Sequence, residues 1–166
     1  FETVTDGKLV ADHYTSGCKL FFFIEYTPID SATESWEVTD EQRKMMAQRV
    51  EKFRKEHSAL FVNLPDDEKD FGGCLSSGRG FVHISAQGNV EPCPFAPYSD
   101  TNLREATLKE ALQSDFLAAV RENSDQLHEG SGGCALWRER EWLTATLAEH
   151  KRRKEIASES MVQSLR

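Results

Sequence analysis

The chain has 166 residues, of which 39% are hydrophobic and 29% are charged, and its formal net charge at pH 7 is -8. This composition is typical of a globular protein with one main core, and the acidic balance disfavours a nucleic-acid partner, because phosphate binding requires a clustered basic face. The longest apolar run, LFFFI at 20–24, is far shorter than the roughly 20 residues that span a bilayer, so we expect no membrane segment or membrane partner.

The N-terminal residues give no sign of a secretory signal peptide, because the stretch 1–15 is mixed and polar and contains no long apolar segment. We therefore expect a cytoplasmic protein. Residues 1–14, with a glycine turn at Asp6-Gly7, predict a short β-hairpin. Because the chain begins with Phe1 in this strand-like stretch, we also expect it to be a piece of a longer polypeptide.

The next segment predicts a strand, a helix and a second strand. Residues 18–29, CKLFFFIEYTPI, are rich in aromatic side chains, which indicates a strand buried on both faces, as in a parallel sheet. A capping box of Thr39 and Gln42 then starts a helix. One face of this helix carries Met46, Val50, Phe53 and His57, and the opposite, solvated face carries Arg43, Lys44, Glu51, Lys52 and Lys55. With a strand at 58–65, these elements form a βαβ-like unit.

The second half of the chain predicts a hairpin followed by helices. After a charged connector at 66–70 and a glycine-rich loop, the stretches 80–84 and 89–92 alternate around a tight turn at Gly88. Capping residues then start two short helices, and a long helix follows the glycine-rich break at 128–133. The helix starts are marked by Thr107 with Glu110 and by Ser114, and the apolar face of the long helix by Leu136, Leu143 and Leu147. Beyond Ile156 the polar tail is expected to fray.

Three of the four cysteines share a setting that is unusual for core cysteines. Cys74 and Cys134 each follow Gly-Gly, and Cys93 lies between two prolines. Thiolates that ligate a metal need a backbone that turns tightly around the sulfur and donates N–H groups to it, which glycine-rich loops allow. Because a hairpin brings its two ends together, we expect the one at 80–92 to carry Cys74 and Cys93 towards one point. Disulfides are disfavoured for so few cysteines in a chain of this size.

The residues alone leave the metal open. Zinc and iron–sulfur clusters both use such ligands, although the paired C-x2-C spacing of structural zinc is absent from the sequence. A Cys3His zinc site would use His83, which lies mid-strand, where a packed or hydrogen-bonded histidine is the commoner case. Cys18, beside Gly17, is a possible fourth ligand, but a small buried hydrophobic residue is the more usual role for such a cysteine.

The segment GGCLSSGRGFVHISAQGNVEPCPFAPYSD, with TLKEAL, SDFLAAVRE and a late GGC, resembles the C-terminal region of radical S-adenosylmethionine enzymes that carry a SPASM or twitch auxiliary-cluster domain. In that family a cysteine, a glycine and a second cysteine recur around such a hairpin. Cys74, Gly88 and Cys93 fit this pattern, with thirteen and four residues between them. The resemblance covers about residues 72–140. It implies an auxiliary 4Fe–4S cluster on Cys74, Cys93 and Cys134, with Cys18 or His83 as a possible fourth ligand.

Two departures from the family pattern refine this expectation. Only Cys134 follows the first two cysteines, so the shorter, twitch-like version with one cluster is the better match. The CxxxCxxC motif that holds the radical-generating cluster is absent from these residues. The resemblance therefore implies that most of the S-adenosylmethionine barrel lies upstream on the same polypeptide, and that this chain is inactive on its own.

The resulting prediction is an α+β fold in three segments. Residues 1–65 would form the C-terminal edge of the partial barrel, 66–150 the iron–sulfur subdomain, and 151–166 a polar tail. The parent protein would modify a peptide or small molecule. Glu25 and Tyr26 are candidates to face its active site and Arg79 to offset the charge of the cluster, although a structural or surface role is the commoner one for such residues. The alternative from another class is a non-catalytic, zinc-stabilised module that binds a protein or peptide.

Overall fold

The structure is a computed structural model that describes residues 1–28, 30–127 and 133–164. These residues form two compact units, of which the first contains the described part of 1–74 with Gly133 and Cys134, and the second Leu75–Leu127 with the described part of 135–166. Helices and small sheets occur in both parts of the chain. The predicted α+β fold class is therefore confirmed.

The first unit is built around a strand–helix–strand element. Strand β1 (Leu20–Ile24) and strand β2 (Leu60–Leu64) are parallel, in a register that pairs Leu20 with Leu60 and Ile24 with Leu64. Helix α3 (Asp40–Glu56) connects them, and both hydrogen bonds of the predicted capping box are present at its start. The core beneath the sheet contains Val10, Met46, Val50, Phe53 and Phe61. These contacts confirm the predicted βαβ-like unit and the apolar face of its helix.

The N-terminal residues form helices, so the predicted hairpin is wrong. Helix α1 (Glu2–Thr5) and helix α2 (Gly7–Thr15) meet at Asp6, whose carboxylate accepts a 3.1 Å hydrogen bond from the backbone N–H of Lys8. Aspartate is a strong N-cap, so the Asp6-Gly7 pair starts a helix here rather than turning a hairpin. Burial of Val10 in the core then holds α2 in place.

The prediction that the first strand is buried on both faces is also wrong. Phe21 and Phe23 pack against the core, but on the opposite face Leu20, Phe22 and Ile24 are 49%, 56% and 60% exposed. The sheet of the first unit has only two strands in the described part of the chain, and its helices cover one face. Aromatic content alone therefore predicted the strand but not its one-sided burial.

The second unit combines a short hairpin with four helices. Strand β3 (His83–Ile84) pairs antiparallel with strand β4 (Val90–Glu91), which confirms the predicted hairpin. The helices are α4 (Leu108–Leu112), α5 (Asp115–Glu122), α6 (Ala135–Arg138) and α7 (Arg140–Ser164). Helices α4 and α5 start at the predicted caps, and α5 packs on α7. The core of this unit includes Phe116, Leu117, Val120, Leu136, Leu143 and Leu147.

Three segments differ in detail from their predicted form. The predicted long helix is divided at Glu139 into α6 and α7, so Leu136 lies on a different helix from Leu143 and Leu147. The charged connector is part of a 3-10 helix, Asp66–Phe71, and Ser31–Trp36 and Ser124–Gln126 form further 3-10 helices. Helix α7 continues to Ser164, through the segment expected to fray. The predicted break at 128–133 lies, up to residue 132, outside the described residues, as do residues 165 and 166 of the predicted tail. None of the described helices combines the length and apolar character needed to cross a membrane.

The sidedness of the two-stranded sheet can be tested with two phenylalanines. Phe61 is 2% exposed and Phe22 on the neighbouring strand is 56% exposed. We expect Phe61→Ala to lower the free energy of unfolding by about 3–5 kcal/mol, because it leaves a cavity in the core. Phe22→Ala should cost less than about 1 kcal/mol, because little apolar surface leaves contact. Urea unfolding followed by circular dichroism measures both, and equal losses would contradict the one-sided sheet.

Candidate metal centre

Cys93 lies in the second unit, just after the hairpin. It is buried between Pro92 and Pro94, and its carbonyl accepts a 3.0 Å hydrogen bond from the N–H of Ala96. Because neither proline can donate a ladder hydrogen bond, the backbone leaves the sheet here and turns around the cysteine. The hairpin and the turn together fix the position of Cys93 within this unit.

The loop before the hairpin is hydrogen-bonded to the residue next to Cys93. The N–H of Ser77 donates a 3.0 Å hydrogen bond to the carbonyl of Pro92, the residue directly before Cys93. Arg121 of α5 donates from Nη1 to the carbonyl of Ser77 at 2.8 Å. Ser77 and its neighbour Ser76 are both buried. Ser77 therefore lies close to the backbone beside Cys93, within the second unit.

Cys74 is the last residue of the first unit's main segment. It follows the 3-10 helix Asp66–Phe71 and two glycines, Gly72 and Gly73, with φ values of +79° and +96°. The N–H of Gly73 donates a 3.0 Å hydrogen bond to the carbonyl of Glu68, so the turn closes back on the helix. Cys74 is buried at the end of this turn. The left-handed conformation explains why glycine stands at the position before the cysteine.

Cys134 also belongs to the first unit, where it follows the buried Gly133. Gly133 lies against an ion pair between Glu25, directly after β1, and Arg43, in the first turns of α3. The guanidinium donates from Nε to both carboxylate oxygens, at 2.9 and 3.1 Å, and from Nη2 to Oε1 at 2.6 Å. The Glu25 and Arg43 side chains are only 12% and 21% exposed.

Arg43 was predicted to lie on the solvated face of its helix. This prediction is wrong, because its side chain is largely buried in the ion pair with Glu25. Hydrogen bonding to Glu25 raises the pKa of Arg43 above its ordinary value, although burial acts in the opposite direction. A cation in the first turns of a helix is opposed by the helix dipole unless a carboxylate offsets it. Here Glu25 and Asp40 both do so, the latter accepting from Nη1 at 2.9 Å. An arginine so close to the capping box was therefore a signal that a carboxylate partner exists.

The two candidate fourth ligands have local partners. His83 Nδ1 lies 2.8 Å from a carboxylate oxygen of the buried Glu91, directly across the hairpin. This confirms that His83 is a hydrogen-bonded strand residue. Cys18 lies in the first unit, is half-buried rather than buried, and donates from its sulfur to the carbonyl of Leu20 at 3.2 Å.

The four cysteines all lie among the described residues, and none of them forms a disulfide. Cys74 and Cys134 belong to the first unit and Cys93 to the second, so the convergence of the three sulfurs stays a prediction. Among the described residues, no group of three or more His, Cys, Asp or Glu side chains is placed to hold a metal ion.

A cavity of about 1470 Å³ opens in the first unit at the carboxyl ends of β1 and β2. Glu25, Arg43 and the buried Asn63 line it, together with the aromatic pair Tyr26 and Trp36, whose ring centroids are 5.7 Å apart. In parallel sheets, ligands bind at the carboxyl ends of the strands. The cavity is thus a place where a small molecule or peptide side chain can meet both charged and aromatic groups.

Comparisons of the chain with protein-family models, with curated proteins and with solved structures give no match. The local geometry of the cysteines and of the ion pair is therefore the basis for any functional assignment.

The burial of the cysteines predicts their order of reactivity in the metal-free protein. Cys74 and Cys93 are buried, whereas Cys18 and Cys134 are half-buried. Alkylation requires an accessible thiolate, so we expect iodoacetamide to modify Cys18 and Cys134 well before the other two. Peptide mass spectrometry under reducing, non-denaturing conditions measures the four rates. The same reaction in urea should remove the differences, and a fast Cys93 in the folded protein would contradict its placement.

Proposed function

We propose that this chain is the auxiliary-cluster region of a radical S-adenosylmethionine protein, holding one 4Fe–4S cluster through Cys74, Cys93 and Cys134. The observation that carries the proposal is the backbone around Cys74 and Cys93. Cys74 follows left-handed glycines, and Cys93 lies between prolines that end the hairpin. The N–H of Ser77 in the intervening loop is bonded to the carbonyl before Cys93. Tight turns let the backbone come close to a cluster and donate N–H groups to its sulfurs.

The donor set suits an iron–sulfur cluster better than a hard metal, because thiolates are soft ligands. Three cysteines would hold three irons of such a cluster and leave the fourth open to a substrate atom or a further ligand. The bound cluster would supply electron transfer or anchoring of the substrate. The part played by this chain is to fix the three sulfurs and to limit the access of water to them, since two of the three are buried.

The exposed apolar face of the two-stranded sheet supports the proposal that upstream strands of the same polypeptide pack with this unit. Leu20, Phe22 and Ile24 form one apolar row on β1, paired in register with Leu60, Val62 and Leu64 on β2. Parallel sheets in proteins are normally covered on both faces and contain more strands than two. Upstream strands of a partial barrel would cover this face. The cavity beside Glu25 and Tyr26 would then contribute to the binding of the peptide or small-molecule substrate.

Anaerobic reconstitution with iron and sulfide tests the proposal. We expect about four irons per chain, brown colour and loss of both in air. Cys74→Ser, Cys93→Ser and Cys134→Ser should each lower the iron content strongly, because each removes one of three ligands. Cys18→Ser is the comparison variant: full iron content would leave the three-thiolate set as proposed, and a partial loss would identify Cys18 as the fourth ligand.

Two results would overturn the proposal. A colourless, air-stable protein with one zinc per chain would favour the zinc-stabilised binding module instead. Iron content that is the same in the chain with all three serines as in the unchanged chain would show adventitious binding only.

A further inference from the structure

The backbone that leads into Cys134 lies directly against the Glu25–Arg43 ion pair. Gly133 is buried with a φ of +79°. A Cβ atom at this position would lie 3.1 Å from Arg43 Nη2 and 3.6 Å from Glu25 Oε1. The first of these distances is shorter than ordinary van der Waals contact, so only glycine fits here without moving the guanidinium.

Both halves of the ion pair are held by regular structure. The N–H of Glu25 donates to the carbonyl of Leu64 at 2.9 Å, which continues the ladder between β1 and β2. The N–H of Arg43 donates to the carbonyl of Thr39 at 2.9 Å, in the first turn of α3. The planar guanidinium is further fixed by three hydrogen bonds to Glu25 and one to Asp40. Groups built on strands and helices in this way are placed more accurately than groups on loops.

We propose that Glu25 and Arg43 are positioning residues for Cys134. The ion pair supports Gly133 and thereby sets where the Cys134 thiol lies within the first unit. The role of this thiol as a cluster ligand rests on the proposed function, whereas its positioning by the ion pair concerns the metal-free chain as well. A lysine at position 43 would keep the charge, but it lacks the fork that binds both carboxylate oxygens.

The reactivity of Cys134 in the metal-free protein tests the positioning. We expect Arg43→Lys, Glu25→Gln and Gly133→Ala each to change the alkylation rate of Cys134 by about threefold or more, while Cys18 in the same unit keeps its rate. Glu25→Gln keeps the size of the side chain, so at least one of these variants is expected to fold. Cys134 rates within about twofold of the unchanged chain in all three variants would overturn the proposal.

Two matched controls separate positioning from general damage. Gly17→Ala introduces the same kind of backbone strain before Cys18, since Gly17 has a φ of +100°, but a Cβ there meets nothing within 4 Å. Arg54→Lys alters another ion pair of α3, the one that Arg54 makes with Asp67 at 2.6 Å. Neither control should change the rate of Cys134. Equal effects from Arg54→Lys and Arg43→Lys would show a loss of stability rather than of positioning.

The contact between Gly133 and Arg43 also predicts non-additivity. Lysine at position 43 has no Nη2 atom, so the Cβ of an alanine at position 133 would meet nothing there. The double variant Gly133→Ala with Arg43→Lys should therefore change the Cys134 alkylation rate by about threefold less than the product of the two single effects. Multiplicative effects would mean that the two positions act independently, which overturns the proposal.

Iron reconstitution of the same variants separates this inference from the proposed function. We expect the Arg43 and Gly133 variants to bind less iron than the two controls. If the unchanged chain binds no cluster, the proposed function fails, and the alkylation rates still decide the positioning of Cys134.

Discussion

The contact between Arg43 and Glu25 ties together the parts of the first unit that matter for its chemistry. The strand β1 ends at the carboxylate, the helix α3 begins near the guanidinium, and Gly133 lies against both. Charged groups that leave water are stable only when they are paired and hydrogen-bonded. This pair satisfies the requirement with three hydrogen bonds, so a strand end, a helix start and a distant segment are fixed at one point.

The cysteines depend on a second constraint, which is the shape of the backbone at each of them. Gly73 and Gly133 both have a positive φ and stand directly before Cys74 and Cys134. The backbone also turns at Cys93, but there the cause is the two flanking prolines, which cannot donate the hydrogen bonds that would continue the hairpin. In all three cases the chain turns at the cysteine rather than running through a helix or strand. At such a turn, backbone N–H groups can donate to a cluster sulfur, and hydrogen bonds of this kind tune the reduction potential of the cluster.

The one-sided sheet relates the fold to the proposed longer protein. A core that includes Phe53 and Phe61 stabilises one face, where Phe21 stacks on Phe61 with ring centroids 4.8 Å apart. The other face presents an apolar row to solvent at the same edge where the cavity opens. Burial of such a row is favourable at roughly 25 cal/mol per Å². Additional strands would therefore gain stability from this face and would at the same time close the cavity around its charged and aromatic groups.

Features that depend on neighbouring residues could be predicted from the sequence. The capping boxes at Thr39 and Thr107, the apolar face of α3, the parallel strand pair and the hairpin all follow local spacing, and the structure confirms them. The glycines and prolines beside the cysteines likewise mark three of the four thiols as unusual through their positions in the chain alone. Local patterns suffice here because caps, turns and amphipathic spacing involve residues close in the chain.

Which surfaces are covered and which charges are paired depends instead on the tertiary fold. The N-terminal stretch has the local pattern of a hairpin, but it is helical because Val10 packs into the core. Arg43 has the local pattern of a surface residue, but it is largely buried because it pairs with Glu25. Likewise, the exposure of Phe22 follows from the absence of a covering layer over that face among the described residues, not from its own type. These outcomes depend on contacts between residues that are far apart in the sequence. The free energies of these contacts outweigh local propensity, and the contacts produce no periodic pattern from which they could be predicted.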